Sequence, residues 1–499
     1  MALKQDLDFL RFLTMGAAGT ASVLDSLDCH HGHRAIELER YATANKIWAQ
    51  KVKRLRRPDL LCLDCGLRIE VRAKSKLAIK MSHSDASDRQ WDFGLRDEDL
   101  VAFVAWRAEQ GVPSPHHQFF RVGDMRASFG HARLGARKAA SEGSERDLTW
   151  PAVVPKLDGE VVEIDLSHRR IRFQPYSGRK VTYRLPPAGI PSHVYVAEGQ
   201  RVQGGEEFIA GSVPLCTDIE CASESWDPIR DLASGDPVDR YVAVKVAGID
   251  GRFTAVGDRL ELISTDETED SWTRLEALAG LARMRPKTHT GKIVAWIREH
   301  VVGKGVDAAL AMEGIFILSE LRNHEAAEAL TELSADRRLR SEIRSAAVGG
   351  LGTTGIDDSH RVLPFVADED DDVALHALAG MGDLDATILN ALKSMVAGGN
   401  DREAASACEL LVEDGEPGIR CLLALAQGKG GPGAWARAAL GRLPRAEVEA
   451  AAKSGLSPSL VATLNPMWTE QQSWLHAQQP FSPLTLLRQQ RVRHISRER

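Results

Sequence analysis

The chain has 499 residues, 43% of them hydrophobic and 27% charged, with a formal net charge of -7. That length suits two to four domains, and the balance excludes wholesale disorder, collagen-like repetition and a disulfide-dense miniprotein. The apolar runs fall far short of the roughly 18–20 residues that span a bilayer. The opening MALKQDLDFLRFL carries acids where a signal peptide is apolar, so a cytoplasmic protein without a membrane partner is expected.

Residues 1–145 read as an α/β domain. LDFLRFLTM and the stretch from Ala35 to Arg57 have helical texture, followed by the strands LLCL, LRIEV and LVAFVAW and the polar linker ASEGSER. Between Lys46 and Lys80, eleven basic residues face only Asp59, Asp64 and Glu70. One concentrated basic segment in an acidic chain suggests a polyanion partner. DNA is the expected one, with Lys51, Lys53, Arg54, Arg56 and Arg57 on its phosphates; a solvated face is the alternative. In WDFGLRDEDL, Trp91 and Phe93 could stack on a base or simply belong to a loop entering the next strand.

Residues 150–265 change texture to short β-branched runs between Gly, Pro and Asp turns: GEVVEIDL, RRIRFQ, KVTYRLP, HVYVAEG, EEFIAG, YVAVKVAG and RLELIS. This reads as an all-β module. VYVAEGQRVQGGEEFIAG resembles the hairpin of barrel-sandwich hybrid domains, without the lysine that biotinyl and lipoyl carriers present at its tip. The resemblance implies architecture and no carrier chemistry.

From 271 to 445 the chain is helical and repetitive. EGIFILSELR (313–322), IRSAAVGGLG (343–352), VALHALAGMG (373–382), REAASACELL (402–411) and AWARAALGRL (434–443) start 30, 30, 29 and 32 residues apart. A period near 30 means helix pairs that stack, because one pair cannot bury its apolar face alone. With the acidic turn ADEDDD, the pattern resembles HEAT-like repeats, which implies a surface for a protein partner. Residues 446–499 form a C-terminal helical segment and a basic tail with Arg488, Arg491, Arg493, Arg497 and Arg499. The tail reads as a docking arm or a frayed terminus.

The chemistry concentrates in RRPDLLCLDCGLRIEVRAKSK. It divides into strand, turn and strand, with Asp64-Cys65-Gly66 at the turn. Side chains alternate along a strand, so Glu70, Arg72 and Lys74 share one face while Ile69, Val71 and Ala73 point to a core. Asp59 opens the first strand and can approach Glu70, which would make an oxygen site for Mg²⁺ or Mn²⁺. Glu37 and Glu39 lie upstream, and Glu39 is the preferred third carboxylate. A nearby lysine could orient the attacking water.

This order of parts resembles the PD-(D/E)XK nuclease superfamily. Pro58-Asp59 matches its PD and Glu70 its second acid; Arg72 stands where a lysine is usual, and Lys74 lies two residues on. Arginine cannot give up its proton there. The resemblance implies a metal-dependent DNA endonuclease, with Asp59, Glu70 and Glu39 on the metal and Lys74, or less well Arg72, beside the reacting phosphate. A nuclease joined to an interaction scaffold suits restriction or anti-phage defence. The alternatives are a hairpin on which Glu70 merely pairs with Arg72 or Lys74, and a catalytically dead binder. In either case the molecule is a non-catalytic scaffold or nucleic-acid-binding protein.

Seven cysteines in a cytosolic chain point to thiols or metal ligands rather than disulfides. Cys62 and Cys65 make C-x-x-C, with Cys29, His30, His31 and His33 upstream. A structural Zn²⁺ on Cys29, His33, Cys62 and Cys65 is one reading; free thiols, with Cys62 in a core, are the other. Cys216 and Cys221 have no obvious partners, and Cys408 and Cys421 fall in the repeats. No Walker A loop, dinucleotide fingerprint, G-x-S-x-G or H-E-x-x-H is present.

Overall fold

The computed structural model describes residues 2–38, 57–86, 90–137, 146–222, 226–301, 307–453 and 455–469. They form two compact units, one built mainly from residues 11–280 and the other mainly from residue 281 onward. The first is sheet-rich and the second helical.

The first unit contains most of α1 (Ala2–His31) and a five-stranded sheet. Its strands are β1 (Ala35–Glu37), β2 (Leu60–Cys62), β3 (Arg68–Lys74), β5 (Leu100–Arg107) and β6 (Val112–Arg121), in the order β1-β2-β3-β5-β6. The helix expected from Ala35 is therefore corrected at its start: Ala35–Glu37 is a strand, antiparallel to β2. β2 and β3 form the expected antiparallel hairpin, and β5 lies parallel to β3. A parallel neighbour needs a crossover, which residues 75–99 supply, with β4 (Lys80–His83) inside it.

β5 shows why LVAFVAW has no polar alternation. Leu100, Ala102 and Val104 face a core shared with Val23 and Leu27 of α1, Leu60, Ile69 and Val71. Val101, Phe103 and Ala105 face a second core with Leu77, Ile79, Met81, Trp91 and Phe120. A strand covered on both faces reads as a continuous apolar run.

That second core also holds Leu148, Trp150, Phe208 and Val213, so the β-rich region does not separate from the preceding α/β region near residue 150. β8 (Arg146–Thr149) pairs with β4 and with β7 (Arg133–Arg137), on the same side of that expected boundary as the α/β region. Beyond it, β10 (Gly159–Asp165), β11 (Arg170–Pro175), β12 (Val181–Arg184) and β14 (Arg201–Val202) form one small sheet. β9 (Ala152–Val153), β13 (His193–Val194) and β15 (Ala210–Gly211) form another. Val161, Ile171, Phe173, Val202, Ile209 and Ala210 fill a core between them.

Two runs read as strands are helices. After α2 (Val122–Ala127) and α3 (Pro228–Asp231), YVAVKVAG lies in α4 (Pro237–Ile249) and RLELIS in α5 (Gly257–Thr265). Burial decides the first: Tyr241–Gly248 is buried throughout, Lys245 included, and a short, mainly apolar run does not separate a strand from a core helix. Asp236 caps α4 through the Val238 and Asp239 N–H groups, with Pro237 at the first position.

The second unit is a succession of helices. After α6 (Ser271–Met284) come α7 (Pro286–Val301), α8 (Ala308–Leu321), α9 (His324–Ala335), α10 (Ser341–Leu351), α11 (Asp358–Val362), α12 (Asp371–Gly380), α13 (Ala386–Gly398), α14 (Asp401–Glu413), α15 (Glu416–Ala426), α16 (Gly431–Arg442), α17 (Arg445–Ala451) and α18 (Pro458–Thr469). The five repeated sequences fall on α8, α10, α12, α14 and α16, with one other α-helix, α9, α11, α13 or α15, between successive ones. Starts are set by side-chain caps at Asn323, Asp370, Asp385 and Asn400, the last a full capping box with Glu403. The acidic turn ties neighbouring repeats together. Arg344, itself buried, donates to Ser334 O at 2.9 Å and pairs with Asp368 of that turn at 2.6 Å.

Candidate functional site

The hairpin carries both clusters of chemical interest in the sheet-rich unit. Its turn closes with Cys62 N–H donating to Leu67 O and Gly66 N–H to Cys62 O, at 2.9 and 3.0 Å. Gly66 sits at φ 73°, where only glycine is unstrained, and a Cβ there would come within 2.6 Å of the Trp226 ring. Asp59 enters just before β2, and Val71 N–H donates to its Oδ2 at 2.6 Å. That bond fixes the carboxyl against β3.

Ile69 and Val71 are buried as expected, while Glu70, Arg72 and Lys74 are half-buried on the opposite parity of β3. Arg72 Nη2 contacts Glu70 Oε1, and Arg72 Nη1 lies 3.9 Å from Asp59 Oδ2. Two carboxylates eleven positions apart thus meet one guanidinium, with side chains only 8% and 12% exposed for Asp59 and Glu70. The same Glu70–Arg72 contact is what a simple ion pair requires. Glu37 stands on β1 opposite Leu60. Glu39, Lys51, Lys53, Arg54 and Arg56 lie outside the described residues.

Several of the basic residues turn inward, against the reading of a purely phosphate-facing surface. Arg57 is buried, its guanidinium 4.2 Å from the Tyr241 ring centroid and 5.4 Å from that of Trp272. This placement suits cation–π packing and corrects its expected place on DNA phosphates. Arg68 is fully buried, paired with Asp239 and donating to Gly94 O. Lys80 pairs with Asp147 at 2.6 Å. Trp91 is also buried, edge-to-face with Trp150 at 5.3 Å, so it is core rather than a stacking platform.

Asp99 was not singled out by sequence. It accepts from the backbone N–H of Arg96 at 2.6 Å and of Arg68 at 3.1 Å, bracing the start of β3. Burial pushes its carboxyl up to about 6, against those bonds and the Arg68 charge.

The second cluster is His33, Cys62, Cys65 and Cys221, whose donor atoms all lie within 4.8 Å of one another and could hold a metal ion. This corrects the expected set: Cys29 is exposed on α1 and is replaced by Cys221. α1 ends at His31, and Gly32 at φ 65° turns the chain so that His33, not Cys29, reaches the hairpin. Cys221 arrives from the segment after β15; its N–H donates to His31 O at 3.0 Å. The Cys62 thiol is held far below its ordinary value, chiefly by a hydrogen bond from the Cys65 thiol, with burial opposing and His33 and the turn backbone assisting. A thiolate is the metal-binding form of cysteine.

No protein-family description matches this sequence. The search of curated proteins gave no match. Among solved structures, human deoxyhypusine hydroxylase in complex with glycerol is similar over 49% of this chain and 98% of its own, at 13% identity and a TM-score of 0.18. Likeness at that score carries no argument about fold or activity. No helix among the described residues is long and apolar enough to cross a membrane.

Proposed function

We propose that the sheet-rich unit is a PD-(D/E)XK-like, metal-dependent nuclease acting on the phosphodiester bonds of DNA. The observation that carries this reading is the meeting of Asp59 and Glu70 at one guanidinium on β3. Carboxylates are the oxygen donors Mg²⁺ or Mn²⁺ prefers, and two that converge on one guanidinium suit such an ion, held by Asp59 and Glu70. When bound it would supply Lewis-acid polarisation of a phosphate oxygen and a more acidic water.

The remaining roles belong to the chain itself. Val71 N–H holds Asp59 in place. Arg72 stays protonated, so it can stabilise negative charge on a transferring phosphate but cannot take a proton. Lys74 follows on the same strand parity and is the group we assign to orienting the attacking water.

We read the helical unit as a HEAT-like repeat array that engages a protein partner; the support is one repeated sequence on each of α8, α10, α12, α14 and α16. A cytoplasmic role in restriction or anti-phage defence goes with the pairing of a nuclease and a scaffold. The Cys/His cluster we read as a structural zinc site, since three sulfurs and an imidazole are the wrong donors for Mg²⁺.

A second reading has one observation in its favour. Arg72 already pairs with both acids, as it would in a non-catalytic nucleic-acid binder. Incubating the purified chain with supercoiled plasmid and Mg²⁺ or Mn²⁺ separates the two. Nicking by the wild type that Glu70→Ala and Asp59→Ala abolish is the expected result. Plasmid bound equally by all three and cut by none would establish the binder.

A further inference from the structure

We propose that Cys221 completes a Cys₃His zinc clasp that fastens the segment after β15 to the β2–β3 hairpin and so holds the strands carrying Asp59 and Glu70. This rests on the reading of the Cys/His cluster as a zinc site and adds to it what Cys221 ties down and what the site holds in place.

Two of the six ligand–ligand edges match a tetrahedral site, and all six lie within 4.8 Å. Zinc binds thiolate at about 2.3 Å and imidazole at about 2.0–2.1 Å, so tetrahedral S···S and S···N edges are roughly 3.8 and 3.6 Å. Cys62 Sγ lies 3.8 Å from Cys221 Sγ, although 159 residues separate them, and Cys65 Sγ lies 3.6 Å from His33 Nδ1. Three thiolates with one imidazole are a closed structural donor set; a catalytic zinc site keeps a position for water. His33 and Cys62 are buried and Cys65 and Cys221 half-buried.

The outer shell is also in place. A metal-bound histidine usually donates its other N–H to a carbonyl or carboxylate, which fixes tautomer and ring orientation. His33 Nε2 lies 2.7 Å from Ile219 O, leaving Nδ1 directed at the sulfurs. The acceptor is two residues before Cys221, so one segment supplies both the fourth ligand and the group that aims the third. Backbone bonds lay the same segment along the hairpin and its neighbours: Cys216 N–H to Phe119 O at 2.8 Å, Cys221 N–H to His31 O at 3.0 Å and Trp226 N–H to Asp64 O at 3.3 Å. Trp226 closes over Gly66 at the turn.

The test uses the full chain purified under reducing conditions. Elemental analysis should find one zinc per chain. Cobalt exchanged into the site should give tetrahedral visible bands and thiolate charge-transfer absorption. Cys221→Ser should weaken zinc binding, in competition with a chromophoric chelator, by more than the roughly 10–100-fold that outer-shell changes cost. Cys221→His should keep zinc while losing one thiolate's share of the cobalt absorption, which separates loss of a ligand from loss of the fold. Cys29→Ser should match wild type. Amide hydrogen exchange in 216–222 and 60–74 should rise together on chelation and in Cys221→Ser. Absence of stoichiometric zinc overturns the zinc reading and the clasp with it. Zinc bound with wild-type affinity and cobalt absorption in both Cys221 variants overturns the clasp alone, as does loss of zinc in Cys29→Ser.

Discussion

Replacing Arg72 by methionine tests whether the two acids form one electrostatic unit. The variant keeps a long flexible side chain on β3 but removes the guanidinium that Asp59 and Glu70 share, which stands 3.9 Å from Asp59 Oδ2 and in contact with Glu70 Oε1. At about 4 Å and an effective dielectric near 20, each attraction is worth roughly 4 kcal/mol before desolvation. Removing one partner of a buried pair costs about 3–5 kcal/mol. The Arg72 side chain is 29% exposed, so water takes up part of this and about 2 kcal/mol is expected. Hydrogen exchange of peptides spanning residues 60–74 reads it as lost protection. At one hundred times its dissociation constant for the variant, Mg²⁺ should stabilise the variant by about 2.7 kcal/mol and wild type, where Arg72 competes for the acids, by less. The added Glu70→Gln change should abolish that recovery. Protection in Arg72→Met within about 0.5 kcal/mol of wild type would refute the electrostatic coupling, since surface changes outside such features fall in that range. Lost protection that Mg²⁺ leaves unrestored would refute the carboxylates as a metal site.

Two further outcomes follow from neighbouring residues. Gly66→Ala places a Cβ in the left-handed region, which costs about 1–2 kcal/mol, and within 2.6 Å of the Trp226 ring; chemical denaturation should register at least about 2 kcal/mol, and a loss below about 1 kcal/mol would mean the turn relaxes freely. Asp99 has a folded pKa of about 6 against an ordinary 3.8. Between those values the folded chain keeps a proton that the unfolded chain has lost, so its contribution is complete below pH 3.8 and falls by about 3 kcal/mol as pH rises through 6. Asp99→Asn removes that titration. The stability difference, wild type minus variant, should therefore decline from pH 4 to 7; a flat difference refutes the assignment.

The β2–turn–β3 hairpin was legible because a two-residue period, a glycine turn and a Pro-Asp entry all agree over one short stretch of chain. The helical repeats were legible for the same reason, a period sustained over five copies. What failed was short or non-local. β1 has three residues, too few for any period to register. α4 misled because β-branched residues fill a helix buried from Tyr241 to Gly248, although Asp236-Pro237 marked its start. Cys221 had no local signal at all, because its partners lie on the far side of the β-rich region in sequence. Arg57 and Arg68 looked like surface charge because a basic run does not announce the Tyr241, Trp272 and Asp239 that receive it.

Phe103 and Phe120 meet the Phe208 ring edge-to-face, in a core that Trp150 shares. A chain ending near residue 145 would leave those rings facing water, so the α/β portion and the strands that follow it are expected to fold as one cooperative unit.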